Sequence, residues 1–291
     1  MNPALALCAL IVFAFAQAKS FIPVEGATLK AKIDNAIVAG RANAVNGRFW
    51  FAYQFDVQPG VGVDFEVVDA SGTVVMFEGQ SALRDPRHET RELGLFLLYD
   101  TQRESFIRAD IYNLRRDREY SSYPVYWAGR IGNEESLNYL KSIVDSTAPE
   151  MTRLADRAIF AIALHDDARV DAMLTEMIRR PVAEQARSRA IQWLGYTPES
   201  QAKNTLFSEI VRNTQETTEA RNAAMSSLAM SRSATALPLL QNLFETMTTR
   251  ELKRRAMYGI ARNDNSDAAA TYLIRVSENE KDVELRKSAI A

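Results

Sequence analysis

The sequence predicts two successive architectures: an α+β amino-terminal module over residues 19–123, a small antiparallel sheet of about five strands plus one helix, then an all-α stack of paired helices over 124–291. Two observations carry this. Between residues 49 and 113, short runs alternate apolar and polar residues and are separated by turn residues, the period-two pattern of strands. From residue 157 onward one helix motif recurs five times: RAIFAIA at 157, RAIQWLG at 189, AAMSSLA at 223, RAMYGIA at 255 and SAIA at 288. Its second position is always alanine, and Ala158, Ala190, Ala224, Ala256 and Ala289 follow one another at 32, 34, 32 and 33 residues, a period that marks a repeat architecture.

Residues 4–16, ALALCALIVFAFA, are apolar without interruption and end at Ala16-Gln17-Ala18, small residues where a signal peptidase would cut before Lys19. The run is shorter than the roughly 20 residues that span a bilayer, so residues 1–18 are expected to be a signal peptide rather than an anchor. No Lys or Arg precedes it. Cys8 is the chain's one cysteine and lies inside this segment, so the mature chain is expected to hold no thiol. That composition suits an exported, periplasmic or extracellular protein and leaves no cysteine for disulfides, thiolate catalysis or metal sites. A formal net charge of -2 offers no general attraction to nucleic acid or to an anionic membrane, and no stable membrane insertion of the mature chain is expected.

In the amino-terminal module, Leu29, Ile33, Ile37 and Gly40 space an apolar edge that predicts a helix over 28–43, ended by Asn46-Gly47. Phe49, Phe51, Tyr53, Phe55 and Val57 alternate with Trp50, Ala52, Gln54 and Asp56, which predicts a half-buried strand. Gln58-Pro59-Gly60 and Ala70-Ser71-Gly72 are turns, so strands at 61–69 and 73–77 complete a meander, and the polar stretch 79–90 reads as a loop. Two more strands follow at 92–99 and 105–113; the first contains LGLFLLY and is expected to be central in the sheet.

Residues 114–123, LRRDREYSSY, form a connector, after which Pro124 is expected to open a helix. Val125-Tyr126-Trp127-Ala128-Gly129 aligns with Ile191-Gln192-Trp193-Leu194-Gly195 two repeat lengths later, so this segment is expected to be a half repeat that caps the stack. Each alanine-bearing helix has an earlier partner: NEESLNYLKSIV, ARVDAMLTEMI, ESQAKNTLFSEIV, ATALPLLQNLF and DAAATYLIRV. In these partners Leu140, Leu174, Leu206, Leu240 and Leu273 stand 16 or 18 residues before the marker alanine. An alanine at the tightest crossing lets helices approach, and the Ile, Leu and Met beside it fill the groove. The last copy is read only to Ala291 and is expected to be incomplete.

In this period and in these helix pairs, residues 124–291 resemble the short variant of the HEAT-like repeat family; the TPLH turn of ankyrin repeats and the tetratricopeptide pattern are absent. The resemblance implies a right-handed α-solenoid used to hold other proteins. It implies little else, because repeat architectures advertise stacking rather than chemistry. The 19–123 module resembles no family.

Chemistry is sparse. His165-Asp166-Asp167 lacks a further His or Cys at ligand spacing, so Asp166 or Asp167 is expected to cap the helix that follows. His88 lies among Arg84, Arg87 and Arg91 with no sign of a general base. No nucleophile elbow, phosphate loop, dinucleotide fingerprint or metalloprotease pair occurs, and neither catalytic residues nor a cofactor are expected.

One surface feature recurs in register. Arg187, Arg221, Lys253 and Arg286 stand three residues before a marker alanine, and Arg189 and Arg255 one before it. Such a row is read either as a groove for an acidic partner segment or as a staple through carboxylates such as Glu219, Glu251 and Glu284. A second candidate is a groove floored by Trp50, Tyr53, Tyr120, Tyr123, Tyr126 and Trp127 at the domain junction, for a ligand or a carbohydrate. The expected function is an exported, non-catalytic scaffold for a protein partner. A ligand module is the second reading, and a lyase of the kind found among HEAT-like proteins is the third.

Overall fold

A computed structural model describes residues 21–68, 74–180 and 183–290. The leader read at 1–18 lies outside them. No helix among the described residues is long and apolar enough to cross a membrane. The described residues begin with a two-residue strand, β1 (Ile22–Pro23), and the helix α1 (Leu29–Asn43). Thr28 caps α1, its hydroxyl accepting the Ala31 N–H at 3.2 Å. The helix buries Leu29, Ile33, Ala36 and Gly40; a Cβ on Gly40 would stand 2.6 Å from the Phe49 ring, so glycine is what lets α1 lie on the sheet.

That sheet holds β1, β2 (Arg48–Phe55), β5 (Leu93–Asp100), β6 (Ser105–Asn113) and β7 (Val125–Arg130), in the order β1-β7-β2-β5-β6. It is mixed, not antiparallel as the sequence suggested: β2, β5 and β6 alternate in direction, whereas β7 runs parallel to β2 and β1 parallel to β7. β3 (Val61–Val68) and β4 (Val74–Arg84) pair with each other as a separate hairpin beside β6. β4 reaches well into the stretch expected to be a loop, and Pro86–His88 then forms a short 3-10 turn.

The expected half repeat at 124–130 is the largest correction. Its VYWAGR sequence is strand β7, with Tyr126 and Ala128 in the main core and Val125 and Trp127 on the opposite face. Aromatic and β-branched residues fit a pleated surface, and Pro124 precedes the first paired residue, where a strand tolerates it. Five residues are too few to separate period two from period 3.6, and the likeness to IQWLG was coincidental.

β2 is buried on both faces rather than one, with Trp50 and Ala52 as inaccessible as Phe49 and Phe51. The cause is a cover over the second face made by Phe21 and the connector after β6. Within that connector Tyr120, Ser121 and Ser122 are all left-handed, at φ 49, 56 and 60. For non-glycine residues this costs about 1–2 kcal/mol each, offset by anchors such as the Trp50 Nε1–H donating to the Tyr120 carbonyl at 2.9 Å.

From residue 133 the described chain is all-α and runs in pairs: α2 (Asn133–Val144) with α3 (Pro149–Leu164), α4 (Val170–Arg179) with α5 (Glu184–Leu194), α6 (Gln201–Arg212) with α7 (Thr218–Met230), α8 (Ala236–Thr246) with α9 (Arg250–Ala261), and α10 (Ser266–Asn279) with α11 (Val283–Ile290). The second helices α3, α5, α7, α9 and α11 pack on one another in a row. Ala158, Ala190, Ala224 and Ala256 are buried on them together with Ile159, Ile191, Met225 and Met257, and Ala289 is partly buried at the end. In the first helices Leu140, Leu174 and Leu240 are buried, but in α6 and α10 the buried position moves by one residue to Phe207 and Tyr272. Leu206 and Leu273 stay partly buried against the core beside these rings.

The sheet and the helices share one core. Helix α3 lies against β6, and the chain after β2 binds the end of α3 through Gln58, whose N–H meets the Leu164 carbonyl at 2.9 Å and whose side chain meets the Ala163 carbonyl at 2.6 Å.

Candidate functional site

Among the basic residues singled out by their spacing, Arg187 is the most tightly held. Its Nε donates to the Ile178 carbonyl near the end of α4 at 2.6 Å, and its Nη2 donates to Glu216, in the loop before α7, at 2.7 Å. The Glu216 carboxylate beside it raises the Arg187 pKa, so the charge is fixed. Arg221 repeats half of this arrangement: Nε donates to the Val211 carbonyl at 2.9 Å, but its outer nitrogen meets the Met247 thioether at 3.7 Å instead of a carboxylate. Lys253 lies 4.9 Å above the Phe244 ring and pairs with Glu280 at 3.3 Å. Arg286 is half-buried on α11.

Each of the first three therefore reaches from a second helix to the end of its own first helix or to the loop of the next pair. Orphan carbonyls at a helix C-terminus attract such cations. The anions used are Glu216 and Glu280, in the loops between helices, rather than the Glu219, Glu251 and Glu284 that adjacency in sequence suggested.

The residues one before the alanine form a second row. Arg189 Nε meets Asp156 of the preceding α3 at 2.7 Å, and Arg255 Nη1 donates to Ser226 of the preceding α7 at 2.6 Å. Arg157 holds the same position on α3, where no pair precedes it, and approaches Asp110 on β6 at 3.8 Å. Burial lowers the Arg157 pKa, opposed by Asp110 and Asp156. Asp110 is itself buried and also receives Arg108 at 2.6 Å and the Tyr112 hydroxyl at 2.9 Å. Sequence reasoning did not include Arg157 in the row, although its spacing from Ala158 was the available signal.

The aromatics expected to floor one groove are divided by the sheet. Trp50, Tyr120, Tyr123 and Trp127 gather on the second face, where Tyr120 stacks on Phe96 at 4.8 Å between ring centres. Tyr53 and Tyr126 point the other way; the Tyr126 hydroxyl donates to the Ala39 carbonyl of α1 at 3.1 Å. Adjacent positions on a strand face opposite sides, so Tyr126 and Trp127 are never on one floor. Burial pushes the Tyr120 hydroxyl up to about 12.

His165 lies under the junction, 2% exposed and stacked on Phe55 at 4.4 Å. Its Nδ1 is 2.7 Å from the Ala161 carbonyl, which only accepts, so Nδ1 carries the proton. Nε2 then accepts from the Ser136 hydroxyl at 2.8 Å, and Ser136 accepts from the Tyr53 hydroxyl at 3.0 Å. The relay joins β2, α2 and the end of α3, and its Ser136 is fully buried. Burial pulls the His165 pKa down to about 4. Asp167, expected to cap the next helix, instead accepts the Arg169 N–H at 2.9 Å in the turn leading to α4, while Asp166 is exposed.

One further patch, not singled out by the sequence, lies between α7 and α9. A cleft of about 620 Å3 there is lined by Ser226, Ala229 and Met230 on one side and by Arg254, Arg255 and Tyr258 on the other. Met230 is 39% exposed and Tyr258 56%.

No protein-family model matches the chain, and no curated protein matches it.

Proposed function

We propose that this protein is an exported, non-catalytic interaction scaffold, a HEAT-like right-handed solenoid closed at its amino-terminal end by the sheet, which holds a protein partner on its helical surface. The observation that supports this most is the repeated crossing. Ala158, Ala190, Ala224 and Ala256 are 1% exposed or less on consecutive, mutually packed second helices. Identical crossings in series create a long surface from units that each touch only their neighbours, the design of repeat proteins that bind extended partners. The row of Arg157, Arg189 and Arg255 supports the capping role. Asp110 on β6 serves the first pair as Asp156 serves the second, so the sheet edge stands in for a preceding repeat.

The staple geometry of Arg187, Arg221 and Lys253 favours register-keeping as their task. Partner contact is then assigned to the exposed parts of the second-helix row. Export rests on the 1–18 segment: mass spectrometry of the mature protein is expected to give an amino terminus at or near Lys19, and an intact Met1 on soluble cytoplasmic protein would refute it. The scaffold reading is tested by cross-linking the mature chain in the exported fraction and identifying what is captured. Reproducible recovery of one protein supports the reading, and recovery of none refutes it.

A second reading, a ligand module, is favoured by one observation. A cavity of about 400 Å3 lies beside the left-handed Tyr120–Ser122 turn and is lined by Phe21, Tyr120 and Tyr123, and strained backbone gathers at ligand clamps. Saturable binding of a sugar or other small molecule that is lost in Tyr123→Ala supports this alternative.

A further inference from the structure

The cleft between α7 and α9 has a construction of its own. A Cβ on Gly259 would stand 2.7 Å from the Ala229 Cα, so glycine at 259 draws the two helices together and sets Met230 and Tyr258 at the rim of one cleft. Here cations exceed anions. Arg254 and Arg255 share the single carboxylate of Glu251, at 2.9 and 3.0 Å. Arg262 donates to the Tyr258 hydroxyl at 2.6 Å and lies 5.2 Å from the centre of its ring. Three guanidinium groups and one carboxylate leave a local excess of two positive charges, in a chain whose formal net charge is -2.

We propose that this cleft docks an acidic peptide segment of a partner protein, with one large apolar side chain seated between Met230 and Tyr258 and a carboxylate beside it meeting Arg254 and Arg262. The proposal rests on the scaffold reading and gives its partner a chemistry. Exposed Tyr, Met and Arg around a small apolar floor are the residue types that concentrate binding energy at protein interfaces. The charge excess selects an acidic segment, and the compactness of the patch selects a short peptide over an extended polyanion, which needs a row of cations along its length.

The test uses the chain from residue 19 to 291 and a random twelve-residue peptide library displayed on phage. Selected peptides are expected to place Asp or Glu within a few positions of Leu, Phe, Met or Trp. A fluorescent copy of the strongest peptide is expected to bind about tenfold more weakly to Tyr258→Ala and to Arg254→Glu, with unchanged melting temperature, and to weaken as salt rises. Arg212→Glu, on a first helix, is expected to leave binding unchanged. Failure to enrich any peptide, enrichment of peptides without carboxylates, or binding indifferent to both cleft variants overturns the proposal. Single-stranded DNA of twenty nucleotides bound more tightly than the best peptide overturns it as well. If the protein captured by cross-linking is held equally by wild type and by both variants, the cleft assignment falls while the scaffold reading stands.

Discussion

Acid should loosen the seam between sheet and helices through His165, and the size of the effect follows from its surroundings. The imidazole is 2% exposed, and both nitrogens are committed, Nδ1–H to the Ala161 carbonyl and Nε2 to the Ser136 hydroxyl. A proton on Nε2 would turn that acceptor into a donor facing a hydroxyl that already donates to it, and would bury a cation among Phe55, Ser136 and backbone. Burial is the leading cause that lowers the pKa from 6.5 to about 4; the hydrogen bond to the Ala161 carbonyl, then Asp167 and Asp56, oppose it, and Arg169 reinforces it. The folded state therefore binds fewer protons than the unfolded state between those two values. Stability from this group is complete above pH 6.5 and is lost as pH falls towards 4. With one pKa unit worth about 1.4 kcal/mol, the loss is about 2 kcal/mol by pH 5 and about 3 kcal/mol by pH 4.

The assay is urea unfolding at pH 7.5, 6 and 5 for wild type and His165→Gln, which does not titrate. The substitution shifts stability at every pH, so the readout is the difference between the two proteins. That difference is expected to shrink by about 2 kcal/mol from pH 7.5 to pH 5. A difference constant across this range would refute the reasoning, because it would mean that His165 titrates near its ordinary value and is not sealed by Phe55 and Ser136.

Two other perturbations test the helical pairs. Ala224 is fully buried on α7 between α5 and α9, so Ala224→Leu is expected to overpack two crossings and cost about 1–3 kcal/mol, whereas Ala289→Leu, on the partly buried last helix, costs less; denaturant melts of both variants check the order. Arg187→Gln leaves the Glu216 carboxylate and the Ile178 carbonyl without their partner and is expected to cost about 1–3 kcal/mol, while Arg221→Gln, which has no carboxylate to abandon, is expected to cost less. Equal losses in thermal melts of the two arginine variants would contradict the staple geometry.

The helices from α2 onward were legible in the sequence because their signal is local and repeated. Leu140, Leu174 and Leu240 recur with the alanines, and a 3.6-residue period sustained over ten or more residues has few other solutions. The strand at 48–55 was legible for the same reason, since alternation is a property of neighbours, and the strand at 93–100 was legible as a continuous apolar run between turns. The assignment of β7 was not, because VYWAGR is short and its strand identity depends on β2 lying beside it, with Trp50 opposite Val125. Direction in the sheet depends on the same long-range pairing, which is why antiparallel was expected and mixed was found. The candidate sites divided likewise. The spacing of Arg187, Arg221 and Lys253 was visible in the sequence, but the anions of Arg187 and Lys253 lie 29 and 27 residues away and that of Arg221 is replaced by a thioether 26 residues away, and only the stacking of pairs brings them together.

From residue 133 onward, sequence by itself determined which segments are helices, where the small residue at each crossing falls and which side of each second helix is buried, because these follow from periodicity and side-chain size within one element. Tertiary structure decided what those elements meet: that the sheet edge with Asp110 takes the place of a preceding pair, that Tyr126 and Trp127 serve opposite faces, and that Gly259 against Ala229 opens a cleft at Met230 and Tyr258. Contacts of that kind join residues distant in the chain, and no local pattern encodes the partner of a residue whose neighbour is set by another element's path.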